Sequence, residues 1–160
     1  MRAVVQRIAS GGVTADGSFT GGVGRGMLIL VGVGRGDTPA EAEHLADKCT
    51  RLRIFEDAGG KMNLSLADIG GAALVVSQFT LYADTSSRRP GFSAAAPPET
   101  AVPCYEAFLA RMRENGVSVA AGRFGADMRI AVENDGPVTI LLESKTEKKN
   151  PATQQQTARQ

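Results

Sequence analysis

Apolar residues recur in distinct runs over roughly the first 143 positions, and the spacing within each run assigns an element. Arg2 to Ser10 reads as a strand. Gly11-Gly12 reads as a break. Asp16-Gly17 is a hairpin turn signal between Val13-Thr14 and Phe19-Thr20. Met27-Leu28-Ile29-Leu30-Val31 is continuously apolar, as a strand buried on both faces must be. A helix follows: Thr38 suits the N-cap, Pro39 the first helical position, and Glu41 completes a capping box. Ala42, Leu45, Ala46, Cys49 and Leu52 then repeat at helical spacing and predict a face packed on a sheet. Glu56 to Lys61 is a glycine-rich loop. Ala73 to Tyr82 predicts a second buried strand, and Asp84 to Pro98 is irregular. A second helix is expected from about Thr100 to Asn115, with Val102, Tyr105, Phe108, Leu109 and Met112 as its apolar stripe and Gly116 at its C-terminal cap. Met128 to Glu133 and Val138 to Glu143 predict two closing strands, turned by Asp135-Gly136-Pro137.

Seven or eight strands with two helices make an α+β fold, with mostly antiparallel sheets curling into a barrel-like core and the helices packed outside. Residues 1–144 read as one domain. From Lys145 to Gln160 the chain is polar and aperiodic, so a disordered tail is expected.

Composition narrows the function. The chain has 160 residues and a formal net charge of +1, so no global field draws it to nucleic acid or membrane. No run approaches a signal peptide or membrane span in length. Cys49 and Cys104 lie in predicted helices without a CxxC, which fits reduced thiols in a cytoplasmic protein. His44 is the single histidine, which argues against a zinc site, and no metal or cofactor is expected.

Three segments invite a chemical reading. Gly32-Val33-Gly34-Arg35-Gly36 follows a buried strand and precedes a helix, as a dinucleotide-binding loop does. It is rejected: the third glycine is one position early, Asp37 places a negative charge where phosphate would sit, and Pro39 removes a donor. Ser77-Gln78-Phe79-Thr80 offers hydroxyls, but a hydroxyl nucleophile needs a base in reach, and none is placed there by the sequence. Alone, this segment reads as an ordinary strand end. Asp135-Gly136-Pro137 alone reads as a plain turn, although proline after glycine permits a cis peptide and a rigid backbone clamp.

Taken together, Ser77-Gln78-Phe79-Thr80-Leu81-Tyr82-Ala83-Asp84 and Asn134-Asp135-Gly136-Pro137-Val138-Thr139 resemble the two signatures of the D-aminoacyl-tRNA deacylase family. Met1 to Arg7, Lys61-Met62-Asn63-Leu64-Ser65, Arg89-Pro90 and Gly122 to Met128 resemble it too, in the family's order. The likeness spans residues 1 to 143. Ser10-Gly11-Gly12 is looser than the family pattern.

The resemblance implies hydrolysis of the ester joining a D-amino acid, or glycine, to the 3′-terminal adenosine of tRNA. It implies a homodimer with sites at the interface, and a cis Gly136-Pro137 inserted into the partner's pocket. D- and L-esters share every polar group, so a backbone wall that admits hydrogen but no side chain is the economical filter. Glycine has nothing to clash, so it passes. In this scheme Ser77, Gln78, Phe79 and Thr80 form the catalytic segment, with backbone N–H groups at Phe79 and Thr80 as oxyanion donors. The RNA 2′-hydroxyl activates or positions water and Thr80 is assigned to positioning, with a Thr80 nucleophile as the alternative. Gly136, Pro137 and Asn134 select chirality. Arg7 is a candidate to hold the Gly136-Pro137 carbonyls, with a surface arginine as the equal alternative. Lys61, Arg88 and Arg89 are weak candidates for tRNA phosphate contacts. The competing reading is a non-catalytic tRNA- or protein-binding module.

Overall fold

The computed structural model describes residues 1–145; the tail expected beyond Lys145 lies outside them. The described residues form eight strands, two α-helices and one 3₁₀ turn. In chain order they are β1 (Arg2–Ala15), β2 (Ser18–Val23), β3 (Gly26–Gly32), α1 (Pro39–Arg51), β4 (Phe55–Glu56), β5 (Met62–Leu64), β6 (Ala72–Ser77), the 3₁₀ turn (Phe79–Tyr82), α2 (Pro98–Glu114), β7 (Ser118–Ala121) and β8 (Met128–Glu143).

The main sheet runs β2-β1-β3-β6-β7, with β8 on the free edge of β1. Four of the six strand pairings are antiparallel; β3–β6 and β6–β7 are parallel. The sheet curls until its ends meet: Thr20 Oγ1 on β2 donates to the Ala121 carbonyl on β7 at 3.3 Å. A Cβ on Gly21 would stand 3.1 Å from that of Ala120. The barrel-like α+β architecture expected from the pattern is therefore the one formed.

Period-two alternation explains why β3 and β6 read as unbroken apolar runs. Met27, Ile29, Val31, Ala73 and Val75 face the helices. Leu28, Leu74 and Val76 join Ile8 and Val13 inside the curl. Both faces are dry, so neither can carry polar residues.

α1 begins as its sequence dictates. Thr38 accepts from Glu41 N–H, the Glu41 carboxylate returns to the Thr38 N–H, and Pro39 opens the helix. α2 ends at Asn115, where Gly116 takes φ +81° and its N–H reaches Arg113. His44 is exposed on α1, and Cys49 and Cys104 are buried free thiols. Burial pushes the Cys49 thiol up to about 12.

Three expected boundaries move. Gly11-Gly12 is no break, because β1 runs through it to Ala15. A Cβ at Gly11 would lie 2.7 Å from Val132 Cγ1, so the glycine there admits close packing. The β6 strand stops at Ser77, and Phe79–Tyr82 is a 3₁₀ turn. The two closing strands are one, β8, and both halves pair with β1. Asp135-Gly136-Pro137 is accordingly no hairpin turn. Gln6 faces Thr139 and Ile8 faces Asn134, so β8 advances five residues while β1 advances two, and the excess bulges out.

The two helices are stapled by one carboxylate. Arg111 grips Asp47 with two bonds, of 2.8 and 3.1 Å, and Asn115 Nδ2 donates to it at 2.8 Å. Arg111, then Asn115, lowers the Asp47 carboxyl from 3.8 to about 2. A depressed folded-state pKa stabilises above the unfolded value and is lost as pH falls through the folded one. We expect Asp47→Ala to cost about 1 kcal/mol at pH 7. The difference from wild type should shrink between about pH 4 and pH 2, measured by urea unfolding at each pH.

Candidate active site

The β6 ladder ends where Gln78 N–H donates to the Val31 carbonyl at 2.8 Å. The chain then turns, and Leu81 N–H and Ala83 N–H bond back to Gln78 and Thr80. This consumes the N–H groups on either side of Phe79 and Thr80. Among the described residues, the Phe79 and Thr80 N–H groups meet no acceptor, as expected for the first positions of a helical turn. The Thr80 hydroxyl accepts from Gln78 Nε2.

Beside this turn lies a cavity of about 590 Å³ at the carboxyl ends of the parallel strands β3 and β6. Val31, Val33, Val76, Ser77, Gln78 and Phe79 form one side. The start of α2, the segment around Phe92–Ala96 and residues 124–130 form the others. Ala96 N–H to the Val33 carbonyl, 2.9 Å, and Arg35 N–H to the Ala94 carbonyl, 3.0 Å, hold the Phe92 segment in place. Phe92 meets Phe79 edge-on at 5.1 Å between ring centres, and both rings remain solvent-exposed. Deeper in, Tyr105 Oη donates to the Val75 carbonyl at 3.0 Å, and burial pushes this phenol up to about 12. Tyr105 is thus a neutral donor already in use.

No lining residue is Asp, Glu, Lys, Arg or His. The cavity is mostly apolar, and Ser77 and Gln78 form its polar edge. No cluster of metal-ligating side chains occurs among the described residues. Phe92, Tyr105 and Phe124 were missed as site residues. Tyr105 sits in the apolar stripe of α2 and reads as core, and Phe92 lies in a stretch with no periodicity.

The second segment is built around Arg7. This side chain is buried on β1. Its Nε donates to the Asp135 carbonyl at 3.1 Å and lies 3.3 Å from the Asp135 carboxylate. Its Nη1 donates to the Ile54 carbonyl at 2.8 Å. The bonds run to Asp135 and Ile54 rather than to the carbonyls of Gly136 and Pro137, and the burial of Arg7 rules out the alternative of a surface arginine. Gly136-Pro137 is cis, and Gly136 has φ +134°. Asn134, Gly136 and Pro137 are exposed on the bulge.

Within the chain the two segments stay apart. Ser77 lies level with Val31 on β3, Val31 with Ala3 on β1, and Ala3 with Leu142 on β8. The bulge sits further along, opposite Arg7, and none of residues 134–139 lines the cavity. Lys61, Arg88 and Arg89 are exposed; the two arginines belong to the excursion closed by the Asp84–Gly91 bridge, near Phe92.

The family model described as D-Tyr-tRNA(Tyr) deacylase matches residues 4–143. A D-aminoacyl-tRNA deacylase of Roseiflexus castenholzii is 61% identical over 145 residues, covering 90% of this chain and 92% of the relative. One from Anaeromyxobacter dehalogenans is 58% identical over 146 residues, covering 91% and 98%. A solved structure described as the c-Myc DNA Unwinding Element Binding Protein superposes with TM-score 0.85 at 41% identity, covering 91% of this chain and all (100%) of that one. The chain belongs to the D-Tyr-tRNA(Tyr) deacylase family, and it is an enzyme of that family, a hydrolase.

Proposed function

We propose that this enzyme hydrolyses the ester between a D-amino acid, or glycine, and the 3′-terminal adenosine of tRNA, and that it does so in the cytoplasm as translation quality control. The observation that carries the reading is the pair of free N–H groups at Phe79, which lines an uncharged cavity, and at Thr80, the next residue in the chain. Ester hydrolysis builds negative charge on the carbonyl oxygen. Two preorganised donors in a dry site are worth about 3–4 kcal/mol each against that charge.

No Asp, Glu, His, Lys or Arg lines the cavity, and the Tyr105 phenol is a neutral donor already bonded to the Val75 carbonyl, so water activation falls to the substrate. The ribose 2′-hydroxyl lies beside the ester and positions the attacking water. Water adds to the carbonyl carbon, the bond to the ribose 3′ oxygen breaks, and that oxygen leaves with a proton. The Thr80 hydroxyl has no basic neighbour and is bonded to Gln78. We therefore expect Thr80→Ala to keep kcat within about tenfold of wild type, since only side-chain positioning is lost. A loss of several orders of magnitude with intact KM would restore Thr80 as nucleophile.

Chirality is selected, in this reading, by Gly136-Pro137 acting as a backbone wall with Asn134 beside it. The segment does not reach its own cavity, which supports a homodimer in which each bulge enters the partner's pocket. Arg7 anchors the bulge through Asp135. Lys61, Arg88 and Arg89 are free to meet phosphates near the acceptor end, and such contacts weaken as salt rises. Incubation of the purified protein with tRNA carrying D-tyrosine or L-tyrosine tests the reading. Release from the D-ester alone supports it. Release from neither ester favours the non-catalytic binding module.

A further inference from the structure

The glycine-rich segment from Gly32 at the end of β3 to Gly36 touches the site from behind. A Cβ on Gly32 would stand 3.0 Å from the Gln78 carbonyl oxygen and 3.0 Å from Leu81 Cβ. A Cβ on Gly34 would stand 2.6 Å from two ring carbons of Tyr82 and 2.9 Å from its hydroxyl. The 77–82 turn is therefore seated directly on bare backbone. Its last residue is then clamped. Tyr82 Oη donates to Asp37 Oδ2 at 3.2 Å. The same oxygen accepts from Gly34 N–H at 2.7 Å and lies 2.8 Å from the Met1 ammonium. Asp37 is buried, and Lys145 Nζ approaches its other oxygen at 3.4 Å. The Arg2 guanidinium lies over the ring, 4.6 Å from its centre, and donates from Nη1 to the Leu81 carbonyl at 3.0 Å.

We propose that Tyr82 is a positioning residue: seated on Gly34 and tied to Asp37, it fixes the pitch of the 3₁₀ turn and so aims the Phe79 and Thr80 N–H groups at the ester. This rests on the reading of those two groups as oxyanion donors. A donor stabilises a transition state only if it is already in place, and a displacement of about 1 Å is enough to cost up to 100-fold. Asp37, which a phosphate-binding loop would not tolerate, is the fixed end of the clamp. Burial and the adjacent Asp37 charge push the Tyr82 phenol up, so it remains a donor across the working range.

The test compares Tyr82→Phe, which keeps the ring and removes the bond to Asp37, with Tyr82→Leu and Gly34→Ala. On D-tyrosyl-tRNA we expect kcat to fall about tenfold in Tyr82→Phe and about 100-fold in Tyr82→Leu and Gly34→Ala, with KM within about twofold throughout. Backbone amide NMR of the free protein gives a readout independent of activity. Phe79 and Thr80 resonances should shift in Tyr82→Phe while those of α1 stay in place. Unmoved resonances with unchanged kcat overturn the inference and leave the hydrolytic function standing. A raised KM at full kcat also overturns it. Wild-type protein inert toward D-esters overturns the function, and the amide shifts then decide the positioning role alone.

Discussion

Gly136→Ala is expected to lower kcat/KM on D-aminoacyl-tRNA by about 100-fold while leaving the protein folded. The argument is local. Gly136 sits at φ +134°, where a side chain is strained whatever the space around it. The space is also closed: an added Cβ would stand 2.9 Å from Val138 N, 2.9 Å from Val138 Cγ2 and 3.1 Å from Arg7 Nη2. Backbone cannot yield as a flexible side chain does, so the bulge must move. Asn134, Gly136 and Pro137 are exposed and only Val138 of the bulge packs against a core, from its margin, so a shift here leaves most of the fold untouched. Steady-state kinetics on D-tyrosyl-tRNA, with thermal unfolding as the control, checks both halves. Full activity in this variant removes the segment from the site.

Arg7→Met carries the other large effect, and it reaches stability as well as turnover. The substitution keeps an unbranched stem of similar reach but deletes both bonds to carbonyl oxygens, Asp135 at 3.1 Å and Ile54 at 2.8 Å. The bond to Ile54 is buried, so that carbonyl loses its partner without gaining water. A buried acceptor left unpaired costs about 1–3 kcal/mol. The Asp135 end affects the site instead, because the bulge loses the hydrogen bond and ion pair that tie Asp135 to β1. We expect a destabilisation of about 2 kcal/mol in urea unfolding together with a drop in kcat/KM of about 100-fold. Arg7→Lys should rescue little, since an ammonium cannot span two carbonyls with a fixed fork. Loss of stability with unchanged kinetics would reduce Arg7 to a structural role.

Local signals in the sequence carried far, and the places where they stopped share a cause. The capping box at Thr38 and Glu41 and the left-handed Gly116 are settled within a few residues of chain, so they were legible. The doubly buried strands β3 and β6 were legible because both their faces must be apolar. Asp135-Gly136 misled because a hairpin signal is local, whereas the fate of β8 depends on β1, more than 100 residues earlier. Periodicity cannot show that two strand-like segments share one partner. The end of β6 was overrun for a similar reason. Phe79-Thr80-Leu81-Tyr82 has strand composition, but β3 gives way to the glycines on which the turn rests. Arg7 had a readable sign: on β1 it follows Ala3 and Val5 in the inward-facing series, where an arginine needs buried partners. Those partners, Ile54 and Asp135, came only with the fold. The paired signatures singled out the two segments, and their separation within the chain is a property no local pattern contains.

The central claim is that chirality is judged by a backbone wall and not by contacts to the side chain. The direct measurement is kcat/KM for five substrates under one condition: tRNA carrying D-alanine, L-alanine, D-tyrosine, L-tyrosine or glycine. A wall predicts cleavage of both D-esters and of the glycyl ester, with L-alanyl and L-tyrosyl esters left at the uncatalysed rate alike. Cleavage of L-alanyl-tRNA with rejection of L-tyrosyl-tRNA would show that bulk, not handedness, is what the site reads, and would contradict the account.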